Sequence, residues 1–257
     1  MDHSLYALQL LGLGGVAGVL PLYIGIAISF LLLQMIQPPY KILIQGFAIG
    51  ILCYLFFEVM HEAVEFTGAT DPVSWIVLVG SFSISVVGLS FLEQYLHRSQ
   101  TLSASSSLFV PYMIALGLGL HNLGEGLAIG SSYAQERWVL SSLLIGGFTL
   151  HNATEGLAVM SPQGSHHYKA RHMTLLGLLA GGPTCLGTLI SGYLLSPYLF
   201  ITFYAVAAGS LLYVITALLS HSQVSTLRLS LSIGLASGLS IMYLTGMMLA
   251  LLLGFRS

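Results

Sequence analysis

The chain has 257 residues, of which 56% are hydrophobic and only 6% are Asp, Glu, Lys or Arg, against about 25% charged in an ordinary soluble domain. That composition excludes a soluble globule, and apolar runs of helix length exclude the alternating strands of an outer-membrane barrel. A net charge of −2 leaves no basic field to hold nucleic acid.

Eight membrane spans of about 20 residues each need roughly 160 to 200 residues. The predicted fold is therefore all-α: one eight-helix transmembrane domain over residues 1–257, with short loops and no soluble domain. The spans are expected at Leu5–Leu33, Ile42–Phe66, Val73–Leu96, Leu108–Ser132, Trp138–Met160, Met173–Leu195, Tyr198–Ser220 and Leu227–Phe255. The cuts follow local punctuation: Pro38 and Pro39, Asp71 and Pro72, the Ser-rich stretch 99–107, Glu136 and Arg137, the hydrophilic stretch 161–172, then Ser196 and Pro197. The first span has no basic region before it and no cleavage site after a short apolar core, so it is expected to be retained. Cys53 and Cys185 lie inside apolar runs without a CxxC pair and read as buried free thiols.

The second span carries Glu58, His61, Glu62 and Glu65 at i, i+3, i+4 and i+7, one side of a helix. Acids there, with Glu58 nearest the membrane centre, would concentrate and partly dehydrate cations; the alternative is that only Glu58 lies in the membrane and the rest form an ordinary solvated helix end. The sequence HEAVE is not HExxH, so a zinc-protease reading fails at its fifth position, Glu65.

The fourth and fifth spans hold the chemistry. His121-Asn122-Leu123-Gly124-Glu125-Gly126-Leu127-Ala128 and His151-Asn152-Ala153-Thr154-Glu155-Gly156-Leu157-Ala158 share the pattern HNxxEGLA, 30 residues apart. At 3.6 residues per turn, His at i and Glu at i+4 lie about 40° apart, so each helix carries one stripe of imidazole, carboxylate and amide. Each motif sits near the middle of its span, where an uncompensated ionisable group costs several kcal/mol and faces the bundle interior or an ion path; the alternative is a pair of His–Glu hydrogen bonds that glue the helices together, although a repeated five-position polar pattern is more than that needs. Imidazole, carboxylate and amide oxygen together suit borderline to hard divalent ions such as Zn, Fe(II), Mn, Co or Cd, and the lack of Cys and Met argues against Cu(I).

Beyond the motifs, His166, His167 and His172 cluster beside Lys169 and Arg171, either as metal-binding side chains or as an ordinary polar loop. Glu93, His97 and His221 read as interfacial polar residues, and Trp75 and Trp138 as interfacial anchors. Lys41, Arg98, Lys169, Arg171 and Arg228 fall on one side of the predicted topology, and Arg137 and Arg256 on the other. The basic excess makes the first side cytoplasmic, with both termini and the 134–137 turn outside.

The eight spans and the paired motifs resemble the Zrt/Irt-like protein (ZIP) family of divalent metal transporters, particularly its GufA-like branch. The resemblance implies inverted three-helix repeats flanking spans four and five, in a multi-pass plasma or inner membrane protein. It also implies a binuclear site halfway across the membrane, with His121, Glu125, His151 and Glu155 lining the principal position and Asn122 and Asn152 facing a second ion. The chain departs from the family at Gly124 and Thr154, where many members carry Pro. In the seventh span, Ala207 to Ala217 looks like a family segment that commonly ends in a Glu ligand, so Ala217, or a neighbour, stands where that carboxylate is expected and Glu58 becomes the candidate substitute. The expected function is movement of zinc, or iron, manganese, cobalt or cadmium, toward the cytoplasm, with no reaction catalysed. The expected partners are the metal ions and the lipid bilayer, and a homodimer is compatible with this reading. The competing readings are an intramembrane zinc hydrolase, which needs three ligands, an open water position and a general base, and a metal-responsive receptor without flux.

Overall fold

The computed structural model describes residues 3–68, 71–99, 108–161, 169–194, 196–221 and 228–252, and all regular structure among them is helical. We number eight rods in chain order. They are α1 (His3–Met35, passing through a π-helical turn at Gly15–Val19), α2 (Pro38–Glu65), α3 (Pro72–Ser99), α4 (Phe109–Ala134), α5 (Trp138–Met160), α6 (Ala170–Tyr193), α7 (Pro197–His221) and α8 (Arg228–Leu252). Each matches a predicted span, with the largest shift at α2, which starts four residues before Ile42.

Local chemistry sets these boundaries. Pro38, Pro72 and Pro197 open α2, α3 and α7 at the first helical position, where the missing N–H would have had no partner in any case. Ahead of Pro72, Asp71 Oδ1 accepts the Val73 N–H at 3.0 Å and caps α3. Between α4 and α5, Arg137 N–H donates to Ser132 O at 2.9 Å and Glu136 N–H to Tyr133 O at 3.0 Å. These are the two bonds of a Schellman ending, and Glu136 holds the left-handed position with φ 57° that glycine usually takes. The tightness of this turn decides the depth of the motifs. His121 lies 13 residues before Ala134 and His151 lies 13 residues after Trp138, so the two stripes meet at one level.

Six of the rods, α1, α2, α3, α6, α7 and α8, are long and apolar enough to cross a membrane, which is the make-up of a membrane protein. The remaining two are α4 and α5, with 26 and 23 residues, or about 35 to 39 Å at roughly 1.5 Å per residue. Their length matches a span and their polarity does not, because the motif residues face neighbouring helices. All six His, Asn and Glu side chains of the two motifs are buried.

The helices pack in a regular set of pairs. α4 lies along α6, α5 along α1, α2 along α8 and α3 along α7, while α1 meets α6, α2 meets α7 and α4 meets α5. The first four pairs run parallel: in α3 and α7, for example, Asp71 reaches Tyr198, Ser85 reaches Val206 and Glu93 reaches Tyr213. The last three run antiparallel, as when Tyr6 bonds Gly192 O and Tyr23 bonds Thr174 O. Exchanging α1, α2, α3 and α4 with α6, α7, α8 and α5 leaves this set of pairs unchanged.

The glycine that follows each motif glutamate has a packing reason. A Cβ on Gly126 would collide with Thr184 O of α6, and one on Gly156 with Gly25 and the Ile26 nitrogen of α1. Backbones this close are how helices associate where no hydrophobic force drives them together. The two positions therefore bring α6 and α1 against the carboxylates from either side.

Candidate metal centre

α4 and α5 cross with their stripes facing. His121, Glu125 and His151 offer three ligand atoms within 4.8 Å of one another, little more than the ~4.2 Å diameter of a coordination sphere with bonds of about 2.1 Å. His151 Nε2 lies against Glu125 Oε1 from the opposite helix. His121 Nε2 stands 3.2 Å from Glu125 Oε1 and 3.7 Å from Glu155 Oε1, yet it makes a hydrogen bond to neither. A nitrogen near two carboxylates and aligned with neither is how groups sit when they converge on a common point.

The asparagines hold the carboxylates crosswise. Asn122 Nδ2 donates to Glu155 Oε2 and Asn152 Nδ2 to Glu125 Oε2, both at 2.8 Å. Each amide also donates to a flanking helix: Asn122 to Ala180 O of α6 at 3.1 Å, and Asn152 to Ala17 O of α1 at 3.0 Å. The second anchor follows from the sequence. Pro21 has no N–H with which to close the helical bond to Ala17 O, four residues back, so that carbonyl is open and lies in the π-helical turn. Ala180 lies in the turn that precedes Pro183, the proline inside α6.

With both amide N–H groups of each Asn engaged, the buried oxygens Asn122 Oδ1 and Asn152 Oδ1 have no partner, and neither does Glu155 Oε1. Buried polar atoms are nearly always bonded, and each one left open costs about 1 to 3 kcal/mol. Among the described residues no Lys or Arg pairs with Glu125 or Glu155. Two buried carboxylates and two imidazoles, of which His121, Glu125 and His151 converge, make a cluster whose charge a divalent cation would balance.

A cavity of about 330 Å³ leads from this cluster to the α4–α5 turn. His121, Glu125 and His151 close its inner end, Glu58 and Glu62 of α2 line its side, and Gln135 and Arg137 stand at its mouth. On the far side of the cluster, Met113, Ile114 and Leu118 of α4 pack into the apolar core with Met160, Leu211 and Val214.

The structure divides the other residues named from the sequence. The acidic stripe of α2 divides: Glu58 and Glu62 border the cavity, whereas His61 and Glu65 form an exposed pair at 3.1 Å. The four positions span about 100° of helix circumference, wider than the cavity wall. Glu58 borders the cavity beside His151 and Glu125 but is outside the group whose ligand atoms converge. Ala217 is buried in the apolar core. The α7 residues beside the cluster are Tyr204 and Ala207, which line the cavity, so Ala217 lies ten residues, or about 15 Å of helix, further along. The sequence offered no signal for Tyr204, Arg137 or Phe148 as lining residues, since their roles depend on which helices meet.

The other polar residues found local partners. Tyr213 OH donates to Glu93 Oε2 at 3.0 Å, and His97 rests against Phe109. Arg171 Nε donates to His172 Nε2 at 3.2 Å, which leaves the other ring nitrogen, Nδ1, to meet Tyr112 OH at 3.0 Å. Trp75 donates to Gly68 O, and Trp138 packs edge-on to Tyr133. Cys53 and Cys185 are free thiols and only half-buried. His166 and His167, the Ser-rich stretch 100–107 and the side chain of His221 lie outside the described residues. No protein-family model matches this chain, and no curated protein matches it.

Proposed function

We propose that the chain is a membrane transporter of divalent metal ions of the ZIP kind, with zinc as its foremost cargo and iron, manganese, cobalt and cadmium as further candidates. The observation that carries this reading is the meeting of two matching His-Asn-Glu stripes, three of whose buried oxygens lack partners, at the closed end of a cavity of about 330 Å³. In this reading all eight rods cross the bilayer, α4 and α5 shielded from lipid by the other six. The exchange of packing partners between α1–α3 and α6–α8, with antiparallel contacts between equivalents, supports inverted three-helix repeats around that central pair.

The basic bias of the loops sets the α4–α5 turn on the outer face, so the cavity opens outward and cargo moves toward the cytoplasm. Ions enter past Arg137 and lose water against Glu62 and Glu58. They are then taken by His121, Glu125 and His151, with Glu155 beside them. The asparagines keep each carboxylate aimed at the opposite helix. Hydrolysis is less well supported, because the site is built from two copies of one His-Asn-Glu stripe, with no distinct nucleophile or general base set apart from them among the described residues.

Uptake of radioactive zinc into proteoliposomes tests this. Wild-type protein should accumulate the ion, and Glu125→Ala should not. Zinc binding without flux would leave a receptor, and proteolytic activity without flux would leave a hydrolase.

A further inference from the structure

The flank of α5 that faces away from α4 borders a second cavity. α8 packs on α2 and stands off from α5, leaving a cleft of about 300 Å³, at the small end of ligand sites of roughly 300–1,000 Å³ and suited to one alkyl chain. Phe47, Ile51, Leu143 and Met242 make its lining mainly apolar. Two more lining residues, Leu150 and Ile241, are 64% and 48% exposed on the outer surface of the bundle, so in a bilayer the cleft is reached from lipid.

Its inner wall differs from its rim. Glu58, Leu144, Phe148 and His151 border both this cleft and the cavity that leads to the metal cluster, and the Phe148 ring lies 5.4 Å from that of His151. Among the described residues Glu58 is the only acid that lines the cleft. A neutral chain filling it would withdraw this carboxylate from water and give it nothing in return, which is costly. A chain that ends in an ammonium group would supply both a counter-charge and a charge-assisted hydrogen bond.

We propose that the cleft between α2, α5 and α8 binds single-chain cationic amphiphiles from the lipid phase, with the alkyl chain among the apolar side chains and the ammonium group on Glu58. Because Phe148 and His151 form the shared wall, an occupant presses on one ligand of the cluster and opposes metal binding. That consequence rests on the metal reading, whereas binding of the amphiphile does not.

The test uses the full chain in lipid nanodiscs with dodecylamine carrying a diazirine at its chain end, cross-linked by light and mapped by mass spectrometry. Labels should concentrate on α5 and α8 near Leu143, Gly147 and Met242. Unlabelled dodecylamine should block labelling at about tenfold lower concentration than dodecanol, the scale of one charge-assisted hydrogen bond. Glu58→Gln should erase that difference. Gly147→Leu should abolish labelling, because a Cβ there meets nothing within 4 Å and the larger side chain fills the cleft. Should that variant not fold, Thr245→Leu fills the same cleft from α8. Labels spread over all lipid-facing helices, equal blocking by the amine and the alcohol in wild type, or undiminished labelling in a folded cleft-filling variant would each overturn the proposal. Failure of zinc uptake alongside localised labelling would remove only the transport reading.

Discussion

The same eight-residue pattern occupies two environments. On α4, His121 to Ala128 is enclosed by α5, α6 and α7, whereas on α5 the stretch from His151 to Ala158 has α1 on one side and an open cleft toward α8 on the other. The two glutamates differ accordingly. Glu125 meets both imidazoles and Asn152, while Glu155 meets Asn122, lies 3.7 Å from His121 and keeps one oxygen unpartnered. Identical local sequence fixes the stripe on each helix, and the neighbouring helices decide what each carboxylate does.

The largest expected effect follows from this inequality. Glu125→Ala should weaken zinc binding by at least about 100-fold and Glu155→Ala by less, about tenfold, measured by competition with a fluorescent chelator, since even outer-shell partners are worth roughly 10- to 100-fold. Equal losses would erase the distinction between the two helices. Asn152→Ala and Asn122→Ala should each cost about tenfold by releasing the carboxylate that each one aims. Their effects should follow the same order, because Asn152 holds the better-connected Glu125.

Acidification should act on both helices together. Metal binding needs neutral imidazoles and ionised carboxylates, so protons compete for the same atoms. Affinity should be highest above the ordinary imidazole value of about 6.5 and should fall as pH drops from about 7.5 to 5.5. A flat profile would mean that neither His121 nor His151 holds the ion.

Two smaller effects probe the scaffold. Gly126→Ala should lower stability by about 1 to 3 kcal/mol through its collision with Thr184 O. Glu136→Gly should raise stability by up to about 1 kcal/mol by relieving a left-handed residue at φ 57°. Both are read from the midpoint of thermal unfolding in one detergent.

Helix boundaries were legible because Pro38, Asp71, Pro72 and Pro197 act locally, through φ restriction and capping. The polar stripes were legible for the same reason, since i and i+4 share a face wherever the helix lies. What crosses between helices was not legible. Each histidine has a glutamate four residues on in its own helix, but His151 bonds to Glu125 of α4, and that choice depends on crossing geometry. Pro21 did announce an open carbonyl at Ala17, although nothing in the chain named Asn152 as the group that takes it. The level of Ala217 was not legible, because a likeness of pattern carries no information on register along α7, whereas Gly124 lies against Ala207 and Tyr204. The low hydropathy of α4 and α5, which sets them apart from the other six rods, is a consequence of the same motifs that make the centre.

The most direct test of a cation held between the two stripes is zinc K-edge X-ray absorption of the metal-loaded protein. The structure predicts two imidazole nitrogens at about 2.0–2.1 Å together with carboxylate oxygen, with one imidazole lost in His121→Ala and one in His151→Ala. A spectrum without imidazole scattering, or one unchanged by either substitution, would contradict it.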